Sequence, residues 1–184
     1  MASTPIFVLP KMATIDEMAD IVAQVSRGTE AVVLDAMAAN TNVILRAIHE
    51  QLYSGLSGTG AYLSPTYQTD PYFDEPGTNW YQRNDDYQAW KATITPPETS
   101  TMLGLPPRPL EVPNLFINGK FYTGLVAYQD NTEIAVSEGP DDGAAIVAKW
   151  GREILTLSPR AVEYFNTTIT LPAIGRFFSE KGVI

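Results

Sequence analysis

The chain has 184 residues, of which 45% are hydrophobic, and it carries a formal net charge of −9. That is enough for one domain with a real core, and the acidic balance, with Lys and Arg scattered, excludes a dedicated nucleic-acid surface, which needs clustered cations. The absence of cysteine excludes disulfides, thiol nucleophiles and thiolate metal sites.

In chain order, Met1 to Pro5 has no cationic export segment, and Ile6-Phe7-Val8-Leu9 reads as a short extended piece between prolines. Thr14-Ile15-Asp16-Glu17 fits a capping box. Ile15, Met18, Val22 and Val25 then make one apolar face, and Gly28 is the expected stop of that helix. Thr29 is the expected cap of a second, longer helix, whose stripe of Val32, Ala36, Val43, Ala47, Ile48 and Leu52 runs to Tyr53. No stretch reaches the roughly 18 apolar residues of a membrane span, so a soluble protein made in the cytoplasm is expected.

Gly55, Gly58 and Gly60 close the helix, and from Gly55 to Pro113 the pattern changes. Periodicity is lost, and Tyr62, Tyr67, Tyr72, Phe73, Trp80, Tyr81, Tyr87 and Trp90 accumulate among prolines and glycines. Disordered linkers are poor in aromatics, so this stretch reads as an ordered arm within a single domain spanning residues 1–184. Asp85 to Ala92 fits a short helix carrying Tyr87, Trp90 and Lys91. Pro96-Pro97 and Pro106-Pro107-Arg108-Pro109 predict extended backbone. Lys120 to Ser137 alternates with period two around Asp130-Asn131 and predicts a β-hairpin, the expected nucleus of a small sheet.

Asp141-Asp142 is placed to start a helix through Trp150, with Gly151 as its stop, and Ile154, Leu155 and Leu157 form an apolar cluster. Ser158-Pro159 is a helix start. Val162, Phe165, Ile169, Ile174, Phe177 and Phe178 follow on one face, with a kink or break expected between Thr167 and Pro172. The fold class this implies is α+β: N-terminal helices including one long one, an aromatic- and Pro-rich arm, a central hairpin and C-terminal helices.

No catalytic constellation stands out. His49 is the only histidine and reads as structural or solvated, since triads and metal sites need convergent partners. Asp70, Asp85-Asp86 and Asp141-Asp142 read as caps and turns, with acid/base work or a hard cation as the alternative. The glycines at 55, 58 and 60 end a helix and lack the Lys-Ser or Lys-Thr of a phosphate loop. No cofactor or metal is called for. The eight aromatics of the arm have three readings: cover for the protein's own core, anchors of a protein–protein interface, or a carbohydrate-binding face.

Several segments, in order, resemble tail-completion or neck-type minor tail proteins of tailed bacteriophages. Gln51-Leu52-Tyr53-Ser54-Gly55, then Gly58-Thr59-Gly60 and Tyr67, is similar to that family's long helix entering a Gly- and Tyr-containing loop. Tyr87-Gln88-Ala89-Trp90-Lys91 is similar to its Tyr-x-x-x-Lys segment. Asn114-Leu115 with Asn118-Gly119-Lys120-Phe121-Tyr122-Thr123-Gly124 resembles the entry to its hairpin, with Asn118 where Thr is commoner. Lys149-Trp150-Gly151-Arg152-Glu153-Ile154-Leu155-Thr156-Leu157-Ser158 resembles its Lys-Tyr-Gly-x-x-Ile-x-x-Leu-Thr stretch, with Trp for Tyr, and the closing helix with Pro172 inside it is similar too.

The resemblance implies a non-enzymatic α+β protein of the virion, at the head–tail junction or tail end. Its partners would be copies of itself in a ring and neighbouring phage proteins, without specific nucleic acid or membrane. On that view the arm lies on a neighbour, and deleting Thr95 to Pro109 leaves the helices and hairpin folded. A hydrolase or carbohydrate-binding domain using the arm is the alternative, and an assembly chaperone outside the particle is a third reading.

Overall fold

The computed structural model describes residues 15–131, 133–139 and 143–182. The extended Ile6–Leu9 piece, the Thr14 cap and the Asp141-Asp142 helix start lie outside the described residues. The fold is α+β. Helices α1 (Ile15–Ala38), α2 (Thr41–Tyr53), α3 (Asn84–Ile94) and α4 (Lys120–Gly124) precede a hairpin of β1 (Val126–Asp130) and β2 (Glu133–Ser137). Helices α5 (Gly143–Trp150), α6 (Pro159–Phe165) and α7 (Leu171–Glu180) complete the chain.

The core is built on α2. Ile44, Ile48 and Leu52 pack with Leu63, Val112, Phe121, Tyr122, Leu125, Val147, Ile154, Leu155 and Phe165. A second cluster joins Ala47 of the same helix to Leu103, Leu105 and Ala161. Three consecutive polar residues of α2 tie separate segments to it. The His49 Nε2–H donates to the Tyr122 carbonyl at 2.9 Å. The Glu50 carboxylate accepts the Met102 and Leu103 amides at 2.8 and 3.0 Å. Gln51, wholly buried, donates to the Thr156 carbonyl at 2.6 Å and accepts from the Ser158 amide at 2.9 Å. The helix end, Asp85–Ala92 helix, Gly151 stop and Ser158 cap all form where the residues place them: Gly55 and Gly151 hold positive φ, and the Ser158 hydroxyl accepts from Ala161.

Three of four expectations need correction, and the third is made specific. First, α1 runs through Gly28, and the break falls at Ala39-Asn40, where the flanking helices meet at 65°. Glycine weakens a helix interior without ending it when packing compensates. Here a Cβ on Gly28 would lie 2.4 Å from the Phe177 ring, so the missing side chain is what lets α1 approach α7. Thr29 is not a cap: its hydroxyl donates to the Val25 carbonyl inside the helix, at 2.6 Å. The longer helix is therefore the first, and Val22 on its expected apolar face is 67% exposed.

Second, Lys120 to Gly124 is helical instead of extended. Gly119 takes a left-handed conformation, and the Asn118 side chain accepts the Lys120 amide at 3.1 Å, which is how a short helix is started. The neighbouring Phe121 and Tyr122 are both buried, which a strand would place on opposite faces. The hairpin itself forms, with Asp130 opposite Glu133 and Asn131 at positive φ, but among the described residues it is two-stranded, with β1 largely exposed and β2 half-buried, Ile134 and Val136 packing on the core.

Third, the break expected between Thr167 and Pro172 is a π-helical turn, Asn166–Thr170, joining α6 to α7. Pro172 has no amide to give the preceding turn, and the Thr167 and Thr168 hydroxyls bond back to the Glu163 and Tyr164 carbonyls at 2.9 and 2.6 Å.

Fourth, the arm packs on its own body. Leu63, Tyr67, Phe73, Leu103, Leu105 and Val112 are each at most 6% exposed. Deleting Thr95 to Pro109 would remove core side chains, so the expectation of a folded deletion variant is withdrawn. Among the described residues no single helix is long and apolar enough to cross a membrane. Only the bent pair Val22–Ala38 and Thr41–Tyr53 reaches that length and composition together.

The Gly28–Phe177 approach predicts a coupled pair. Gly28→Ala should fail to show its helix-propensity gain of about 1 kcal/mol in the native background and recover it beside Phe177→Ala. Thermal denaturation of the four proteins checks this; equal gains in both backgrounds would deny the close approach.

Candidate functional site

The arm opens with a small capped turn. Asp70 accepts the Tyr72 amide at 3.1 Å and starts the single turn Pro71–Phe73. The Gln82 amide returns to the Phe73 carbonyl at 2.8 Å, closing the loop that carries Trp80. Helix α3 then begins, with Asp85 and Asp86 in its first turn, where carboxylates suit the helix dipole.

Spacing on α3 places Tyr87, Trp90 and Lys91 on one face. Tyr87 sits at the centre of the aromatic group. Its ring centroid is 5.2 Å from those of Tyr67 and Trp80, 5.3 Å from Phe73 and 5.4 Å from Trp90, mostly edge-on or tilted. Trp80 and Trp90 stack at 5.6 Å, and Arg83 lies over Trp80 at 5.1 Å. Offset and edge-to-face arrangements of this kind are the favoured ones for rings.

These rings form one wall of a cleft of about 370 Å³. The opposite wall comes from Leu115, Phe116 and Ile117 before α4 and from Ile146, Lys149 and Trp150 of α5. All three tryptophans of the chain line it. At the rim, Lys149 pairs with Asp70 at 2.5 Å and lies over the Trp150 ring at 4.6 Å.

The floor is cationic. Lys91 is 2% exposed, and its ammonium donates to Asn114 Oδ1 at 2.9 Å and to the Phe116 carbonyl. The chain turns at Leu115 with φ of 56°, which brings both acceptors to the same ammonium. Behind it, Arg108, equally buried, donates to the Thr95 carbonyl at 3.1 Å and to the Val112 carbonyl. Among the described residues neither cation touches a carboxylate. Burial, with Arg108 nearby as the smaller cause, lowers the Lys91 pKa to about 8. Burial also pushes the Tyr87 hydroxyl up to about 12 and raises those of Tyr67 and Tyr122 as well. Several polar atoms around the cleft and its floor lack a partner: Tyr67 Oη, Trp150 Nε1, Arg108 Nε and Asn114 Nδ2.

Of the eight aromatics singled out from the sequence, Tyr67, Tyr72, Phe73, Trp80, Tyr87 and Trp90 line the cleft. Tyr62 and Tyr81 do not; both are exposed, Tyr62 in an isolated bridge to Leu56 and Tyr81 accepting from Gln82. Phe116, Lys149 and Trp150 were missed, because nothing in the sequence links residues so distant to α3. Lys91 had a signal: it stands four residues after Tyr87 on the aromatic face.

The acid/base candidates scatter. Asp85 accepts from Gln68 at 2.8 Å and Asp86 pairs with Arg83 at 2.9 Å; both are exposed and outside the cleft. Burial lowers the His49 pKa despite the Tyr122 carbonyl, leaving a neutral ring. Among the described residues no group of three or more His, Asp or Glu side chains is placed to hold a metal ion. No protein-family model, curated protein or solved structure matches the chain.

Lys91 gives the fold an alkaline signature. Its pKa is lowered in the folded state from 10.5 to about 8, so above pH 8 the unfolded chain binds the extra proton and stability rises with pH. Near pH 10 the trend reverses, because unfolded tyrosines ionise while Tyr67, Tyr87 and Tyr122 resist. Urea unfolding from pH 7.5 to 10.5 should show this rise and fall, and Lys91→Met should remove the rise. A rise that persists in the variant would assign it elsewhere.

Proposed function

We propose that this chain is a structural protein of a tailed-phage virion, a neck or tail-completion ring subunit that works through protein–protein contacts at the aromatic cleft. The observation that carries the reading is the cleft itself. Six arm aromatics and Trp150 surround one opening, and Trp and Tyr in a partly desolvated pocket are the usual anchors of protein interfaces. The ordered resemblance of segments from Gln51 to the closing helix supports it, as does an α+β body that carries an antiparallel hairpin. A ring subunit needs heterologous contacts, and a cleft that receives a neighbour's segment is one way to make them.

Peptide mass spectrometry on density-gradient-purified virions tests the reading. The native chain should appear at a small fixed fraction of capsid-protein abundance. The double variant Trp80→Ala/Trp90→Ala, checked for native circular dichroism, should drop at least about tenfold in particles, the loss expected when two anchor residues are truncated. Absence of the native chain from particles, despite abundance in the lysate, would end this reading. Undiminished incorporation of the folded variant would move the contact away from the cleft.

A further inference from the structure

The cleft is rich in donors and poor in free acceptors. An ammonium has three N–H groups, and two of those on Lys91 are taken by Asn114 Oδ1 and the Phe116 carbonyl. The third has no acceptor among the described residues. The Tyr67 hydroxyl and the Trp150 indole N–H, on residues lining the same cleft, are buried without an acceptor. The one carboxylate there, Asp70, is already engaged by the Tyr72 amide and Lys149.

The charge points the same way. Two lysines against one aspartate make the cleft locally positive on a chain of net charge −9, and Arg108 adds to that potential from behind. Buried cations satisfied only by neutral oxygens are costly, and a counter-charge with good geometry relieves that cost. Aromatic walls and a volume of about 370 Å³ admit a large apolar side chain with one small polar group, not a globular surface.

We infer that the cleft receives a segment of a partner protein presenting a carboxylate, from Asp or Glu, beside an apolar or aromatic side chain. The carboxylate reaches the Lys91 ammonium and supplies the missing counter-charge; the neighbouring side chain packs among Trp80, Trp90 and Trp150. This rests on the reading of the cleft as a docking site and adds the chemistry of what docks. A basic segment is repelled, and a neutral one leaves the donors unmet, so the cleft selects as well as binds.

The test uses the full chain and three blocked peptides: acetyl-Ala-Phe-Glu-Ala-amide and its Gln and Lys counterparts. All three tryptophans line the cleft, so their indole N–H resonances report binding there. The Glu peptide should bind about tenfold or more tightly than the Gln peptide, as a charge-assisted bond does relative to a neutral one, and the Lys peptide more weakly still. Lys91→Met should abolish the Glu preference while leaving the Gln peptide's affinity within about twofold. Tyr67→Phe, which keeps the ring, serves where Lys91→Met does not fold, and should narrow the preference about threefold.

Equal affinity for the Glu and Gln peptides, preference for the Lys peptide, or unmoved indole resonances with all three would overturn the inference. Lost preference together with cleft-dependent incorporation into particles removes the acidic partner and keeps the virion reading. Carboxylate preference in a chain absent from particles does the reverse.

Discussion

Residues 49–51 of α2 are where the rest of the structure is joined. One helical turn presents an imidazole, a carboxylate and a primary amide in sequence, and each bonds backbone groups of a different segment. His49 holds α4, Glu50 holds the arm at Met102 and Leu103, and Gln51 holds the turn before α6. These segments carry little regular structure of their own, so their amides and carbonyls need partners when buried. Burial works against the charge on Glu50, but the Leu103 and Met102 amides together with the Thr101 and Arg46 side chains outweigh it and hold the carboxyl below its ordinary range. Apolar packing around Ile44, Ile48 and Leu52 supplies the attraction, while the three polar neighbours decide which segment goes where.

The cleft follows from that arrangement. Pinning residues 101–103 to α2 fixes the arm after α3, and the Lys149–Asp70 pair fixes it against α5 before α3. Between those fixed points α3 lies across Asn114 and Phe116, and Lys91 is driven into the body with only neutral oxygens to meet it. A methionine there would cost less desolvation. An ammonium kept at the floor of an open aromatic cleft is a stability cost that a partner's carboxylate would offset.

Legibility in the sequence followed the range of the interaction. Local chemistry read well: Gly55 and Gly151 as stops, Ser158-Pro159 as a start, Asp130-Asn131 as a hairpin turn, and the α3 helix with its aromatic face. The errors came where a distant contact decided the outcome. Gly28 looked like a stop because its partner, Phe177, lies about 150 residues away and cannot be seen from a local pattern. Lys120 to Gly124 looked extended because its period of two was real, yet the Asn118-Gly119 turn and the joint burial of Phe121 and Tyr122 overrode it. The aromatic content of the arm was legible as order, and six of its rings do share one cleft. Its far wall, from Leu115 to Ile117 and from Ile146 to Trp150, was not, since only the folded chain brings it there.

That the arm folds onto its own body changes how this chain could join an assembly. An arm lent to a neighbour would leave Leu103, Leu105, Val112 and the second apolar cluster exposed in the free subunit. Such a subunit would need its partner in order to fold. With the arm docked, the apolar core is closed within one chain, and the donors still unmet on the two buried cations include Arg108 Nε and the third N–H of Lys91. On the proposed reading, assembly would insert a segment into a preformed site, which loses less conformational entropy than exchanging the whole arm, residues 55–113. The order of events would then be the reverse of arm exchange: folding first, with the cleft it creates setting what can be added.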